Sequence, residues 1–220
     1  MSDALSSPYP LVLASSSPRR REIVAALGAP FVIHAAGVDE APLPGESAAT
    51  AARRLAEDKA LAAAADAPGR YVVGADTVVV LAGEILGKPA DAAAATAMLR
   101  HLRGRRHDVV SGVAVVDRQS GRRFAGALAT AVWMRHYRDA EIARYVGRGE
   151  PFDKAGAYAI QDRDFNPVGS IAGCYLNVVG LPLCLLLYLL ALAGVALPPP
   201  SSALLQRLCP NCVLMSVTLH

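Results

Sequence analysis

LVLASSSPRRREIVAALG, residues 11–28, holds an apolar run, a serine-rich turn and an amphipathic segment. Leu11, Val12 and Leu13 are short and apolar enough for a buried strand. Ser15, Ser16 and Ser17 turn the chain, and Ser17-Pro18 starts a helix, with the serine as N-cap and proline at the first helical position. Ile23, Val24 and Leu27 supply that helix with a buried stripe, and Gly28 stops it. Arg19, Arg20 and Arg21 crowd its first turn, where exposed N–H groups already carry partial positive charge. An anion would complete such an arrangement, so the stretch reads as a phosphate cradle. The alternative is a solvated basic turn.

Working outward, Phe31-Val32-Ile33 reads as a second strand, followed by the acidic turn Val38-Asp39-Glu40. Ser47 caps a long alanine-rich helix from Ala48 to about Ala65 that carries Lys59. Tyr71 to Val80 is the most strand-like segment, β-branched and apolar on both faces, and therefore central. Asp76 interrupts it. A buried carboxylate without a cation, a metal or a dense set of hydrogen bonds is costly. Either a functional site or a structural strand-end aspartate accounts for it.

Ala82-Gly83 turns the chain, and GEILGKP sets Lys88 on a loop beside the central strand before a helix from Ala92 to about Leu102. Val109–Val116 and Arg122–Met134 read as an antiparallel pair, and Asp139–Val146 as a short amphipathic helix. Phe152 to Gln161 mixes glycine, charge and aromatic residues as a binding loop does, and Ile171–Val179 reads as a last strand-like run.

Residues 178–197 carry no charge, and their length alone suits a bilayer span. Gly180 and Pro182 interrupt the start, however, and no basic anchor precedes it, so a core or subunit-interface helix is the preferred reading. The domain is expected to cover residues 1–197, with 198–220 a tail of unassigned role. Cys209 and Cys212 have half-site spacing for zinc but lack a second ligand pair.

With 220 residues, 53% of them hydrophobic and 19% charged, the chain suits a globular protein. A net charge of +3, with the basic residues scattered among acidic ones, argues against a nucleic-acid partner. No basic-then-apolar leader is visible, and four cysteines without framework spacing suit a reducing cytoplasm.

Neither a Walker-type nor a dinucleotide-type glycine loop is present, nor the motifs of zinc proteases or serine hydrolases. What remains is a set of cations (Arg19, Arg20, Lys59, Lys88, Lys154) and of carboxylates (Asp39, Glu40, Asp76). Cations clamp a polyphosphate, while carboxylates hold a hard divalent metal or activate water. Together they suggest metal-assisted attack of water on phosphorus.

LASSSPRRREIV, VDE, RLAEDKA, GADTVVV, GEILGKP, SGVAVV, DKAGAYAIQ and NVVGLP, in this order, resemble the Maf family of nucleoside triphosphate pyrophosphatases over about Leu11 to Gly194. The resemblance implies a two-lobed α/β fold with a mixed sheet around a central cleft, related to the inosine triphosphate pyrophosphatases. It also implies cleavage between the α- and β-phosphates to give a monophosphate and pyrophosphate. Ser15, Arg19 and Arg20 would hold phosphates, Lys59 and Lys88 neutralise them, Glu40 help hold Mg²⁺ or Mn²⁺, and Asp76 act as general base. Arg19, Thr77 and Gln161 resemble the set of members acting on dTTP and UTP. An amide at Gln161 can both donate to and accept from a pyrimidine edge. The expected partners are the nucleotide and a second copy of the chain, with no nucleic acid and no membrane. The rivals are a non-catalytic nucleotide-binding regulator of cell division, a member acting on 7-methyl-GTP, and a membrane-attached protein.

Overall fold

The computed structural model describes residues 11–41 and 43–197; the tail after residue 197, with Cys209 and Cys212, lies outside the described residues. A seven-stranded sheet organises the chain, in the order β2-β1-β3-β5-β6-β7 with β4 paired to β3. The strands are β1 (Leu11–Leu13), β2 (Phe31–Ile33), β3 (Tyr71–Leu81), β4 (Glu84–Leu86), β5 (Arg106–Asp117), β6 (Arg123–Met134) and β7 (Val168–Ala172). The helices are α1 (Pro18–Ala25), α2 (Ala48–Ala64), α3 (Ala92–Leu102), α4 (Asp139–Gly147), α5 (Tyr175–Val179) and α6 (Leu183–Leu192). β1 runs parallel to β2 and β3, whereas β3, β5, β6 and β7 pair antiparallel, so the sheet is mixed.

β3 is buried on both faces, as its run of β-branched residues requires. On one face Tyr71, Val73 and Ala75 meet α1, α5 and α6. On the other Val72 packs with Ala56, Ala60 and Ala63 of α2. This second contact is unusually close. A methyl group on Gly74 would lie 2.1 Å from the Ala56 carbonyl oxygen, and one on Gly112 of β5 2.0 Å from that of Ala52. Alanine on the helix and glycine on the strands thus let two backbones touch, which fixes the height of α2 over β3.

A second core, of Val79, Leu99, Val109, Ile142, Tyr145 and Phe165, lies around the far halves of β3 and β5. The two lobes therefore share one sheet, as the resemblance implies.

Three details depart from the reading of the sequence. The Ala82-Gly83 turn, with φ of 51° and 87°, folds the chain back into β4, a strand not anticipated. Helix α1 ends at Ala25, before Gly28. The run Ile171–Val179 is not one strand: β7 ends at Ala172 and α5 begins at Tyr175. Gly173 separates them at φ 131°, where a methyl group would lie 2.9 Å from Thr130 Oγ1.

The apolar stretch from Val178 is likewise broken. Gly180 ends α5 at φ 125° and Pro182 caps α6, which is ten residues long and buries Leu183, Leu186, Leu189 and Leu190. No helix among the described residues is long and apolar enough to cross a membrane.

Candidate active site

The site is a gap in the sheet. β1 pairs with β3 only as far as Val73, and β4 joins the same edge only from Val79. Between them the edge of β3 from Gly74 to Val78 has no strand beside it among the described residues, while β5 covers the opposite edge throughout. Consecutive strand residues point to opposite faces, so a gap lets Asp76 and Thr77 reach one opening from either side of the sheet. That opening is a cavity of about 700 Å³, and Ser15, Arg19, Arg20, Glu40, Lys59, Asp76, Thr77, Lys88 and Gln161 all line it.

On the α2 side, Asp76 is 7% exposed and accepts a hydrogen bond of 2.5 Å from Lys59 Nζ. The same ammonium lies 2.7 Å from Glu40 Oε1, and Lys88 Nζ lies 2.7 Å from Glu40 Oε2. Burial alone would raise the Glu40 carboxyl, but hydrogen bonds from the two lysines outweigh it and hold the pKa at about 2. Two carboxylates and two ammonium groups thus form one chain from the floor of the cavity to its rim.

On the opposite side, Ser17 caps α1 as expected, accepting from Arg20 N, and the first turn directs Arg20 inward. Its guanidinium donates to Gly180 O (2.9 Å), Thr77 Oγ1 (3.2 Å) and Ser15 Oγ (3.3 Å). Burial lowers its pKa, the negative charge of Asp76 opposes that, and Arg19 adds to the depression. A guanidinium nevertheless stays charged. Arg19 turns to the other wall, 3.3 Å from Asp153 Oδ2, and Arg21 is exposed.

The binding loop forms that wall. Lys154 is buried and donates to Asp153 Oδ1 (2.6 Å), to Glu150 Oε2 (3.3 Å) and to the Glu150 carbonyl. Gly156, at φ 70°, packs so tightly that a methyl group would lie 3.0 Å from Val79 Cγ2. Gln161 sits beyond it, exposed at the mouth. The lining then carries five cationic side chains (Arg19, Arg20, Lys59, Lys88, Lys154) against three carboxylates (Glu40, Asp76, Asp153). Asp39 from the sequence-derived set is exposed and does not line the cavity. Ser111, Asn177 and the Gly180 carbonyl were not singled out in the sequence; SGVAVV and NVVGLP marked their segments but not their side-chain roles.

A mixed α/β sheet split by an electropositive cleft, with a buried carboxylate on its floor, defines a class: an α/β protein with a site suited to a polyanion. Residues 10–193 match the family model described as Maf-like protein, and the chain belongs to that family. It is 50% identical over 206 residues, 93% of each chain, to a protein of Thermomicrobium roseum named dTTP/UTP pyrophosphatase. A relative of the same name from Geobacter sulfurreducens is 53% identical over 79% of this chain and 91% of its own. Among solved structures, a nucleoside-triphosphatase / dITP/XTP pyrophosphatase of Mycobacterium abscessus covers 58% of this chain and 75% of its own. That likeness has 16% identity and a TM-score of 0.37.

Proposed function

We propose that this chain is a nucleoside triphosphate pyrophosphatase that hydrolyses dTTP and UTP to dTMP or UMP and pyrophosphate. The observation that carries this reading is the gap in the sheet, where buried Asp76 and half-buried Arg20 face one cavity from opposite sides of β3. A site that only held polyanions would gain nothing from Asp76 and Glu40 beside the phosphates. Relatives named for this activity, about half identical over most of the chain, support the same substrates.

In this reading Arg20, Ser15 and Arg19 bind phosphate oxygens, and Arg19 leaves Asp153 to do so. Lys59 and Lys88 turn from carboxylates to phosphates, which frees Asp76 Oδ1 to take a proton from the attacking water. Thr77 and Gln161 belong to the substrate set, with Gln161 meeting the pyrimidine edge from the mouth. Pyrophosphate leaves as a phosphate-stabilised anion held by the same cations.

Glu40 and Asp76 converge on one ammonium, so their oxygens border a single point in space. Two such carboxylates plus phosphate oxygens suit Mg²⁺ or Mn²⁺, which keep few protein ligands. Glu40 would hold the ion beside Asp76, and the ion would neutralise phosphate charge and lower the pKa of water. A homodimer is part of the proposal, supported by Tyr188 and Leu192 on α6, which are 61% and 46% exposed. So are the absence of a nucleic-acid partner, supported by the mild net charge, and a cytoplasmic location, where nucleoside triphosphates are made.

The test is a hydrolysis screen of standard and modified nucleoside triphosphates with Mg²⁺ or Mn²⁺ and identification of products. dTMP and UMP with pyrophosphate are expected. Orthophosphate as first product, or full activity in excess chelator, would overturn the reading.

A further inference from the structure

Arg20 is a half-buried cation whose hydrogen-bond shell contains no carboxylate among the described residues. Its partners are the oxygens of Ser15, Thr77 and Gly180, all neutral. Such a shell orients the guanidinium without neutralising it, and leaves its charge for an incoming anion.

Two of those partners lead to the same short helix. Ser111 Oγ donates to the Asn177 carbonyl at 3.0 Å, which uses its single proton. Thr77 Oγ1 and Ser111 Oγ are 2.8 Å apart, so Thr77 is the donor in that pair. The Thr77 oxygen is then left to accept from Arg20 at 3.2 Å. Its other possible acceptor, Gly180 O, is farther away at 3.3 Å. The protons thus run one way, from Arg20 to Thr77 to Ser111 to the carbonyl of Asn177, an order in which each bond polarises the next.

Asn177 anchors the other end. Its side chain is buried, and Nδ2 donates to Val109 O and Thr130 Oγ1, both at 2.9 Å. These bonds pin α5 to β5 and β6. Pinning α5 also sets Gly180 three residues on, whose carbonyl receives Arg20 Nε at 2.9 Å. One fixed helix therefore holds the guanidinium twice, directly through Gly180 and indirectly through two hydroxyls.

We propose that Ser111 and Asn177 are positioning residues that aim Arg20 at the phosphates of the substrate, acting through Thr77 and Gly180. Neither side chain lines the cavity. Thr77 does, and in this order of bonds it also serves the site by accepting from Arg20. The inference rests on the reading of Arg20 as a phosphate ligand.

Calorimetric titration with inorganic tripolyphosphate tests it on the full chain, because this probe has no base and the heat of binding does not require nucleotide turnover. Ser111→Ala and Asn177→Asp are each expected to weaken binding about tenfold, and Ser111→Ala in an Arg20→Lys background less than twofold. Such non-additivity separates action through Arg20 from a general loss of structure, which would cost the same in both backgrounds. Thr77→Val reads the same link with little change of shape, and is to show the same coupling should either other variant fail to fold. Equal losses in the two backgrounds, unchanged affinity in folded Ser111→Ala, or no binding of tripolyphosphate by the unaltered chain overturns the proposal. Failure to hydrolyse dTTP, with tripolyphosphate affinity and coupling intact, counts against the substrate assignment alone.

Discussion

Lys59 Nζ lies 2.5 Å from Asp76 Oδ1, and both side chains are about nine-tenths buried. The ammonium is the partner that a carboxylate in the middle of β3 requires.

Replacing Asp76 by asparagine keeps the shape and removes the basicity. General-base assistance is worth ~10²–10⁴-fold, so kcat should fall by at least about a hundredfold. Nucleotide affinity should hold or tighten, since a negative charge beside the phosphates is gone. Turnover and affinity measured on the same variant check this; activity within a few-fold of the unaltered chain would leave Asp76 a structural residue.

Lys59→Met strands Asp76 with no cation at hydrogen-bond distance, at a stability cost of about 3 kcal/mol. Adding Asp76→Asn to that variant should recover most of the loss. Denaturant midpoints of the two singles and the double form the cycle, and strict additivity would show that the pair does not act as one.

Alanine at Gly74 or Gly112 should be among the most damaging small substitutions in the chain. The added methyl would meet a backbone carbonyl of α2 at 2.1 or 2.0 Å, which no rotamer change relieves. Lifting α2 moves Lys59 off Asp76, so turnover should drop together with a stability loss of about 3 kcal/mol, or roughly 6–12 °C in Tm. Gly37, where a methyl meets nothing within 4 Å, is the control, and Gly37→Ala should leave Tm unchanged. Similar melting of all three variants would remove the close approach as an explanation.

Gln161→Ala should reduce the preference for dTTP and UTP over purine triphosphates by about 1–3 kcal/mol, the size expected when a site loses a polar partner. Tripolyphosphate binding should be unaffected, because Gln161 stands at the mouth. An unaltered ratio of kcat/KM values would move base recognition elsewhere in the cavity.

His107 gives the protein an acid-sensitive core. Its Nε2 lies 2.7 Å from the Tyr158 hydroxyl, and its Nδ1 is buried with no partner among the described residues. Burial, with a smaller push from Arg106, lowers its pKa from 6.5 to about 4. As pH falls below 6.5 the unfolded chain therefore takes up this proton first, and stability drops until about pH 4. The full effect is about 3 kcal/mol, and above pH 6.5 it is absent. His107→Gln cannot titrate, so its denaturant midpoint should fall less between pH 7 and 4.5 than that of the unaltered chain. Equal falls would refute the assignment.

Much of this molecule is legible along the chain. Leu11–Leu13, the Ser17-Pro18 helix start and the β-branched run of β3 are local patterns, and local patterns survive folding because backbone sterics and capping act within a few residues. Asp76 stood out for the same reason, as a charge in a segment that permits none without a partner. The gap that makes a site of it was not legible. It arises because β1 pairs with one edge of β3 only as far as Val73 and β4 joins that edge only from Val79, and β4 itself depends on two positive φ angles at Ala82 and Gly83.

Sequence alone determined which residues had to be explained: Arg20 at a helix start, Asp76 inside a strand, Gly180 and Pro182 inside an apolar run. Tertiary structure alone decided their partners. Lys59 meets Asp76 across seventeen positions because glycines at 74 and 112 admit α2 onto the sheet. Arg20 meets Gly180 across one hundred and sixty because buried Asn177 fastens α5 beneath it. Such contacts depend on how two surfaces fit in space, and spacing along the chain carries no record of that fit.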